Sequence, residues 1–490
     1  MQLICKNGCH PNIRYYKRDL LLAMFVLTLA SCRKLVEAPP PVTTINTANV
    51  YTSDASAAAV LTSIYAKLSQ FASYGNPGLT GASVFCGLSA DELALYKGNT
   101  NPKYTAYYVN SLSATTYGSE YWTFIYPYIF TCNAALAGLS SSNSLTPVLK
   151  QELMGEAKFM RAYFYFYLVN LYGDVPLVTN TDYKSNANMS RTSQPKVYQQ
   201  IIADLKDAQA LLSSGYVDGG ALNSTTERVR PNKWAATALL ARSYLYTGDW
   251  VNAEAQASTV INNSSLYSLV DLNSVFLKNS SEAIWQLQPV NNLSNTEDAK
   301  FFVIPATGPS SKNPVFLSDT LYRSFDSADN RKTKWVKSVT VKGITYYFPF
   351  KYKVSASTST VTEYLMMLRL GEQYLVRAEA RAQQGNVAGG SVDLNSIRTR
   401  AGLGPVSGLG QAALIAAIAR ERRVELFTEM GQRWFDLKRT GSIDPVMAVI
   451  TPQKANNFNP GQQWNPIQSL YPLPVGDLSK DLNLKQNAGY

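Results

Sequence analysis

The stretch Glu152–Val178, ELMGEAKFMRAYFYFYLVNLYGDVPLV, narrows the folds open to this chain more than any other. Met160, Tyr163, Phe164, Tyr167, Leu168 and Leu171 recur at helical spacing and make one apolar face. Phe159, Phe166 and Val169 fall on the opposite side, so the helix is apolar nearly all round. Such a helix needs neighbours on several sides, which a large helical core supplies. Gly173 is expected to stop it, and Pro176 prevents its resumption.

A chain of 490 residues can bury a core of that size, and its length alone suggests about three domains. With 46% hydrophobic and 16% charged residues it reads as globular, not disordered. Tyrosine is abundant, 31 against 18 Phe and 7 Trp. Most tyrosines of a helical protein pack their rings and reach water with the hydroxyl, so abundance alone marks no site. The net charge is +11, falling to +8 without residues 1–31, which hold Lys6, Arg14, Lys17, Arg18 and Asp19. The charge is spread without a basic run, a solvation pattern and not a nucleic-acid footprint.

Arg14, Lys17 and Arg18 precede the apolar run Leu20–Ala30, which is too short to span a bilayer but fits a signal-peptide core. The run ends Leu29-Ala30-Ser31-Cys32, the pattern of a bacterial lipobox, so Cys32 is the expected lipidation site. Residues 1–31 are then a signal peptide, and 32–50, with Ala38-Pro39-Pro40-Pro41, an extended tether. Cleavage removes His10, the single histidine. Histidine-based nucleophile systems and histidine metal sites are thereby excluded. Cys86 and Cys132 remain, and separate burial is expected for them over a bond.

Further helices are expected from Asp54, as cap, to Leu68, over Glu120–Leu139 and over Pro195–Leu212. Another begins at Pro231, read as a first-turn proline. Residues 73–117 read as loop-rich. The string Lys233-Trp234-Ala235-Ala236, then Gly248-Asp249-Trp250, then Ala253 and Ala257 has the helix–turn–helix form of a tetratricopeptide unit. The form recurs at Tyr374–Ala380 followed by Gly385–Ala388. Between them, 264–362 is an irregular insertion. Strands are expected at Glu282–Leu287 and over Val336–Phe350 about a Gly343 turn. The fold class is therefore mostly α: a tetratricopeptide-like scaffold carrying a loop-rich insertion with short β-strands.

Several strings now resemble one family. They include Gly155-Glu156-Ala157 with Arg161-Ala162-Tyr163 and Tyr172–Leu177, and Cys132-Asn133-Ala134-Ala135-Leu136. They continue with Arg369–Leu375, Leu394-Asn395-Ser396-Ile397-Arg398-Thr399-Arg400-Ala401-Gly402-Leu403, the charged run Ile418–Arg439, and Tyr471–Pro474 with Gln486–Tyr490. In this order they resemble the SusD/RagB outer-membrane lipoproteins, which capture nutrients. The resemblance implies an N-terminal part at 51–262 and a C-terminal part at 263–490 forming one body. It implies an outer-membrane protein facing the cell exterior, held by lipid on Cys32. It further implies an oligosaccharide or peptide ligand, and a SusC-like TonB-dependent porin as partner, with this chain as its lid.

Two rival classes remain on the sequence: a two-carboxylate glycoside hydrolase, and a structural porin subunit without its own ligand. Glu421, Glu425 and Glu429 invite the first. They read instead as a helical ladder, with Arg422, Arg433 and Asp436 three or four residues away, so no catalytic residue is assigned. Phosphate-loop, dinucleotide and calcium-loop patterns are absent, and no cofactor or metal is expected. Sugar binding calls for aromatic faces beside neutral planar groups. Two loop regions provide them: Tyr96, Asn99, Asn101 and Tyr104, beside Asp91 and Tyr107, and Asn292, Phe301 and Phe302, beside Asn291 and Asn295. Trp285 reads as core.

Overall fold

The computed structural model describes residues 49–70, 78–290, 294–358 and 360–490. Cys32, the signal segment and nearly all of the tether lie outside the described residues, as does Asn292. Tyr51–Tyr490 form one compact unit.

Helix α1 (Asp54–Ser69) is capped by Ser53, whose side chain accepts from the Ser56 amide. Asp54, expected at the cap, is the first helical residue, and its carboxylate accepts from the amide and hydroxyl of Thr146. Helices α2 (Ala82–Ser89) and α3 (Pro102–Tyr108) flank strand β1 (Leu93–Leu95). The loop-rich reading of 73–117 misses α2, because every residue of that helix is buried. With no polar face there is no period to read.

Helices α4 (Glu120–Ser141), α5 (Pro147–Tyr172), α6 (Gln194–Leu211), α7 (Lys233–Thr247) and α8 (Trp250–Ile261) each pack against the next. α5 is the all-round apolar helix, buried without a break from Phe159 to Tyr172 and closed by Gly173 at φ +75°. Its one buried cation, Arg161, is neutralised by Asp204 of α6 through bonds of 2.6 and 2.8 Å. Asn232, not Pro231, stands at the start of α7: its side chain accepts from the amides of Trp234 and Ala235, leaving Pro231 outside the helix. Ala253 and Ala257 are buried where α8 crosses its neighbours, as the repeat pattern requires.

After α8 the chain leaves the stack. It forms β2 (Ala283–Leu287), α9 (Glu297–Phe302), β3 (Val315–Leu317), and the hairpin of β4 (Val336–Val341) and β5 (Ile344–Pro349). Lys342 and Gly343, at φ 50° and 78°, make the hairpin's two-residue turn. Strand β6 (Leu365–Arg369) pairs antiparallel with β2 and runs directly into α10 (Leu370–Gln383), which packs on α8. The β2–β6 pair therefore closes the base of the insertion, and the helical stack resumes where it stopped. Helices α11 (Val387–Arg400) and α12 (Gln411–Glu425) cover α10 over a separate small core of Leu375, Leu394, Ile397, Leu414 and Ile418. Then come α13 (Gln432–Arg439) and α14 (Ile443–Ala455). The tail returns to α5, the Tyr471 amide donating to the Leu171 carbonyl. The structure is thus mostly α, with helix pairs α7–α8 and α10–α11 in tetratricopeptide style and α4–α6 extending the stack. Cys86 and Cys132 are buried and unpaired, and Trp285 is fully buried.

Candidate ligand-binding face

The carboxylates that raised the hydrolase reading pair with arginines and a lysine, and Glu421 also lines a concavity of about 360 Å³ beside its partners Arg331 and Arg398. α12 ends at Glu425, and Thr428, Met430 and Gly431 take positive φ, so Glu429 leaves the helix. The expected one-helix ladder is therefore wrong in its partners. Glu425, fully buried, pairs with Arg331, Arg369 and Arg400; Glu429 pairs with Lys351 and Arg369. Glu421 pairs with Arg331 and Arg398, and Arg433 with Asp91. Burial alone would raise the Glu425 carboxyl, but Arg400, Arg369 and Arg331 overrule it and hold it well below the carboxylate range. These charges come from elements far apart in sequence, so they bind the insertion to the C-terminal helices.

The two loop regions meet, but not as an open platform. Tyr104 stacks on Phe85 at 5.4 Å and lies 6.0 Å from Phe301. Tyr104, Phe301 and Phe302 are all buried, so the rings expected to face ligand are core. Asp91 and Tyr107 are buried too, Asp91 against Arg433 and Arg423, and Tyr107 donating to Glu120. Asn99 and Asn101 are half-buried and build the turn: Asn101 caps α3 and Asn99 donates to the Asn101 carbonyl. Asn295 is buried, its amide oxygen accepting from the amides of Thr362 and Glu363.

Tyr96 is different. In β1, Leu93 and Leu95 are buried while Ala94 is half-exposed, and Tyr96 continues the outward face. β3 pairs antiparallel with β1 and places half-exposed Phe316 opposite Ala94. β5 packs beside β3, and half-exposed Tyr346 meets Phe316 edge-on at 5.0 Å. The outer face of the β1–β3 pair, with β5 packed beside it, thus carries the half-exposed rings of Tyr96, Phe316 and Tyr346. Gly98 folds the following turn against Tyr96: a Cβ there would lie 2.6 Å from the ring. Beside Phe316 lies a concavity of about 230 Å³, with Ser318, Thr320 and the exposed Asp319 and Gln453 on its walls. Its floor is fixed by Lys454, which donates to the carbonyls of Leu88 and Ala90 at the end of α2. Sequence reading missed Phe316 and Tyr346. Phe316 is a single aromatic in an irregular stretch and Tyr346 one of several in an expected strand, and only the β1–β3 pairing and the packing of β5 on β3 bring them to Tyr96.

Residues 175–490 match the sequence profile of the SusD family. The chain belongs to the SusD family. Residues 45–245 match a second profile, SusD-like, described as starch-binding associating with outer membrane. Among relatives of this SusD-family protein, SusD-like protein P2 of Formosa agariphila is 27% identical, over 76% of this chain and 80% of its own. A SusD superfamily protein from Bacteroides vulgatus has the same fold, with a TM-score of 0.76 at 20% identity over 89% of this chain and 99% of that one. A laminarin-binding SusD-like protein superposes with a TM-score of 0.72 at 22% identity over 90% of this chain and all (100%) of that one.

Proposed function

We propose that this protein binds an oligosaccharide on the outer face of β1, β3 and β5, and releases it unaltered. The observation that carries the reading is the row of half-exposed rings, Tyr96, Phe316 and Tyr346, beside a concavity with neutral hydroxyl and amide groups. Rings suit the apolar faces of pyranoses, and Ser, Thr and Gln suit their hydroxyls. Membership of the SusD family and the laminarin-binding relative agree with a glycan ligand. The lipid on Cys32 would hold the protein at the outer membrane facing outward. The captured chain would pass to a SusC-like TonB-dependent porin that this protein covers as a lid.

The test uses purified residues 33–490 and a glycan panel that includes laminarin, with binding read by calorimetry and products by chromatography. Open stacked sites bury little area, so affinities on the order of micromolar to millimolar are expected. Tyr96→Ala and Phe316→Ala should each weaken binding roughly 3- to 10-fold in the folded protein, as a stacked ring is worth about 0.5–1.5 kcal/mol. Gly98→Ala should weaken it too, by displacing the Tyr96 ring. Phe301→Ala should instead lower the melting temperature and leave the affinity of the folded fraction unchanged. Shortened products that vanish on a Glu or Asp substitution would establish the hydrolase reading; binding to no glycan would favour the peptide or structural-subunit reading.

The anchor has its own test. Cys32→Ala should free the protein from membranes or leave an uncleaved precursor. Continued labelling of that variant with a palmitate analogue would refute the assignment.

A further inference from the structure

Among the described residues, three charged side chains line the concavity beside Phe316: Asp91, Asp319 and Lys454. Two of them are already occupied. Asp91 is 3% exposed; its carboxylate accepts from Arg433 at 2.7 and 3.0 Å and meets Arg423 at 2.8 Å. Lys454 is buried as well, and its ammonium donates to the carbonyls of Leu88, Ser89 and Ala90. Three hydrogens meet three acceptors, which leaves none for a ligand. Burial, opposed by Asp91, also draws that ammonium down to about 7, so near neutral pH it brings only part of a charge.

Asp319 is the open one. It is exposed, and its carboxylate has no ion pair or side-chain hydrogen bond among the described residues. It stands in the first turn of the short helix Asp319–Tyr322, so the positive end of that turn already has an anion beside it. The neighbouring hydroxyls add acceptors. Ser318 donates to the Asp91 carbonyl at 2.6 Å, Thr320 to the same oxygen at 3.0 Å, and the two hydroxyl oxygens lie 3.0 Å apart. However the two protons are placed, they stay inside that triangle, and only lone pairs face outward. Gln453 and the hydroxyl of Tyr108 are the side-chain donors left among the described lining residues. The walls therefore hold more acceptors than donors, and one full negative charge.

We infer that this concavity selects its sugar by charge: it takes an uncharged unit, whose hydroxyls donate to Asp319, and refuses a unit that carries carboxylate or sulfate. The inference rests on the glycan face proposed above and names the class of glycan that the face accepts. A hydroxyl donating to a carboxylate makes a charge-assisted hydrogen bond, roughly twice as strong as a neutral one. A uronate or sulfate has no hydrogen to give at its charged group and meets Asp319 as a like charge. Among the described lining residues, no ammonium or guanidinium stands open to offset that repulsion. The ring of Phe316 does not discriminate, because the apolar face it stacks on is common to neutral and acidic pyranoses.

The probes are methyl β-glucoside and methyl β-glucuronide, with the matching galactoside and galacturonide, titrated by ligand-observed NMR into the full mature chain at pH 7 and low ionic strength. Within each pair the neutral sugar should bind at least ~10-fold tighter, a margin that shrinks as salt is added. Asp319→Asn should bring the two members of a pair together, and Asp319→Lys should reverse their order. Both changes sit at an exposed position and should leave the melting temperature unchanged. Phe316→Ala should weaken both members alike and keep their order. Equal binding of neutral and acidic sugars by wild type, or an order that survives Asp319→Lys, would overturn the charge selection and leave the glycan face standing. Binding of none of these sugars in the millimolar range would remove the face, and the selection with it.

Discussion

Glu425→Gln should cost the protein about 3–5 kcal/mol of stability, the loss expected on removing one partner of a buried ion cluster. Glu425 is fully buried, and its Oε1 and Oε2 meet Arg369 at 2.6 Å, Arg331 at 2.7 Å, and Arg400. Arg331 comes from the insertion, Arg369 from the end of β6 and Arg400 from the end of α11. Glutamine keeps the shape but removes the charge that all three were desolvated to meet. The acid limb gives a second reading of the same contact. The folded carboxyl is held below its unfolded value, so its contribution is complete above that value, near 4.5, and is lost as pH falls through the folded one. Wild type should therefore destabilise on acidification more steeply than Glu425→Gln. Chemical denaturation at pH 7 and at pH 3 measures both effects. A variant as stable as wild type at pH 7 would show that the cluster is neutral for stability. Glu429→Gln, which leaves Lys351 and Arg369 with weaker acceptors at the edge of the cluster, should cost less in the same assay.

The comparison with the sequence divides along physical lines. α5 was legible from its composition, because a helix apolar on every side has few places to go. α7–α8 and α10–α11 were legible because small alanines and Gly-Asp or Gly-Asn turns recur at their junctions. The charged run was recognisable as structural, yet its partners were not. Spacing along one chain shows only neighbours three or four residues away, and Arg331, Arg369 and Arg400 arrive from other elements. α2 was hidden because burial on all sides erases its period. The burial of three of the candidate rings, Tyr104, Phe301 and Phe302, was hidden for a related reason. Tyr104 and Phe301 share the composition of a sugar platform, but composition does not say which side of a ring is covered. The half-exposed rings of Tyr96, Phe316 and Tyr346 are gathered by the long-range β1–β3 register and by the packing of β5 beside β3.

Asp298→Asn should raise stability by about 5 kcal/mol at pH 8 and leave it nearly unchanged at pH 4. Asp298, in the first turn of α9, is 6% exposed and lines a small cavity with Thr80 and Asn295. Burial first, then Glu297 and Glu429, push its carboxyl up to about 8, with Lys351 opposing them. An acid whose folded value lies above its unfolded one holds a proton that the unfolded chain releases. Stability therefore falls as pH rises from about 4 to about 8, and levels off beyond. Asparagine keeps the size and polarity of the protonated carboxyl and has no proton to lose. The gain should appear through that window and saturate above it. Glu92, also pushed up to about 8 by burial, tilts the wild-type profile the same way, so the difference between variant and wild type isolates Asp298. The measurement is urea denaturation of both proteins at intervals from pH 4 to pH 9. A difference that stays constant across the series would mean that Asp298 is ionised in the folded protein and held by a cation. The cavity beside Thr80 would then have to be redrawn around a buried charge.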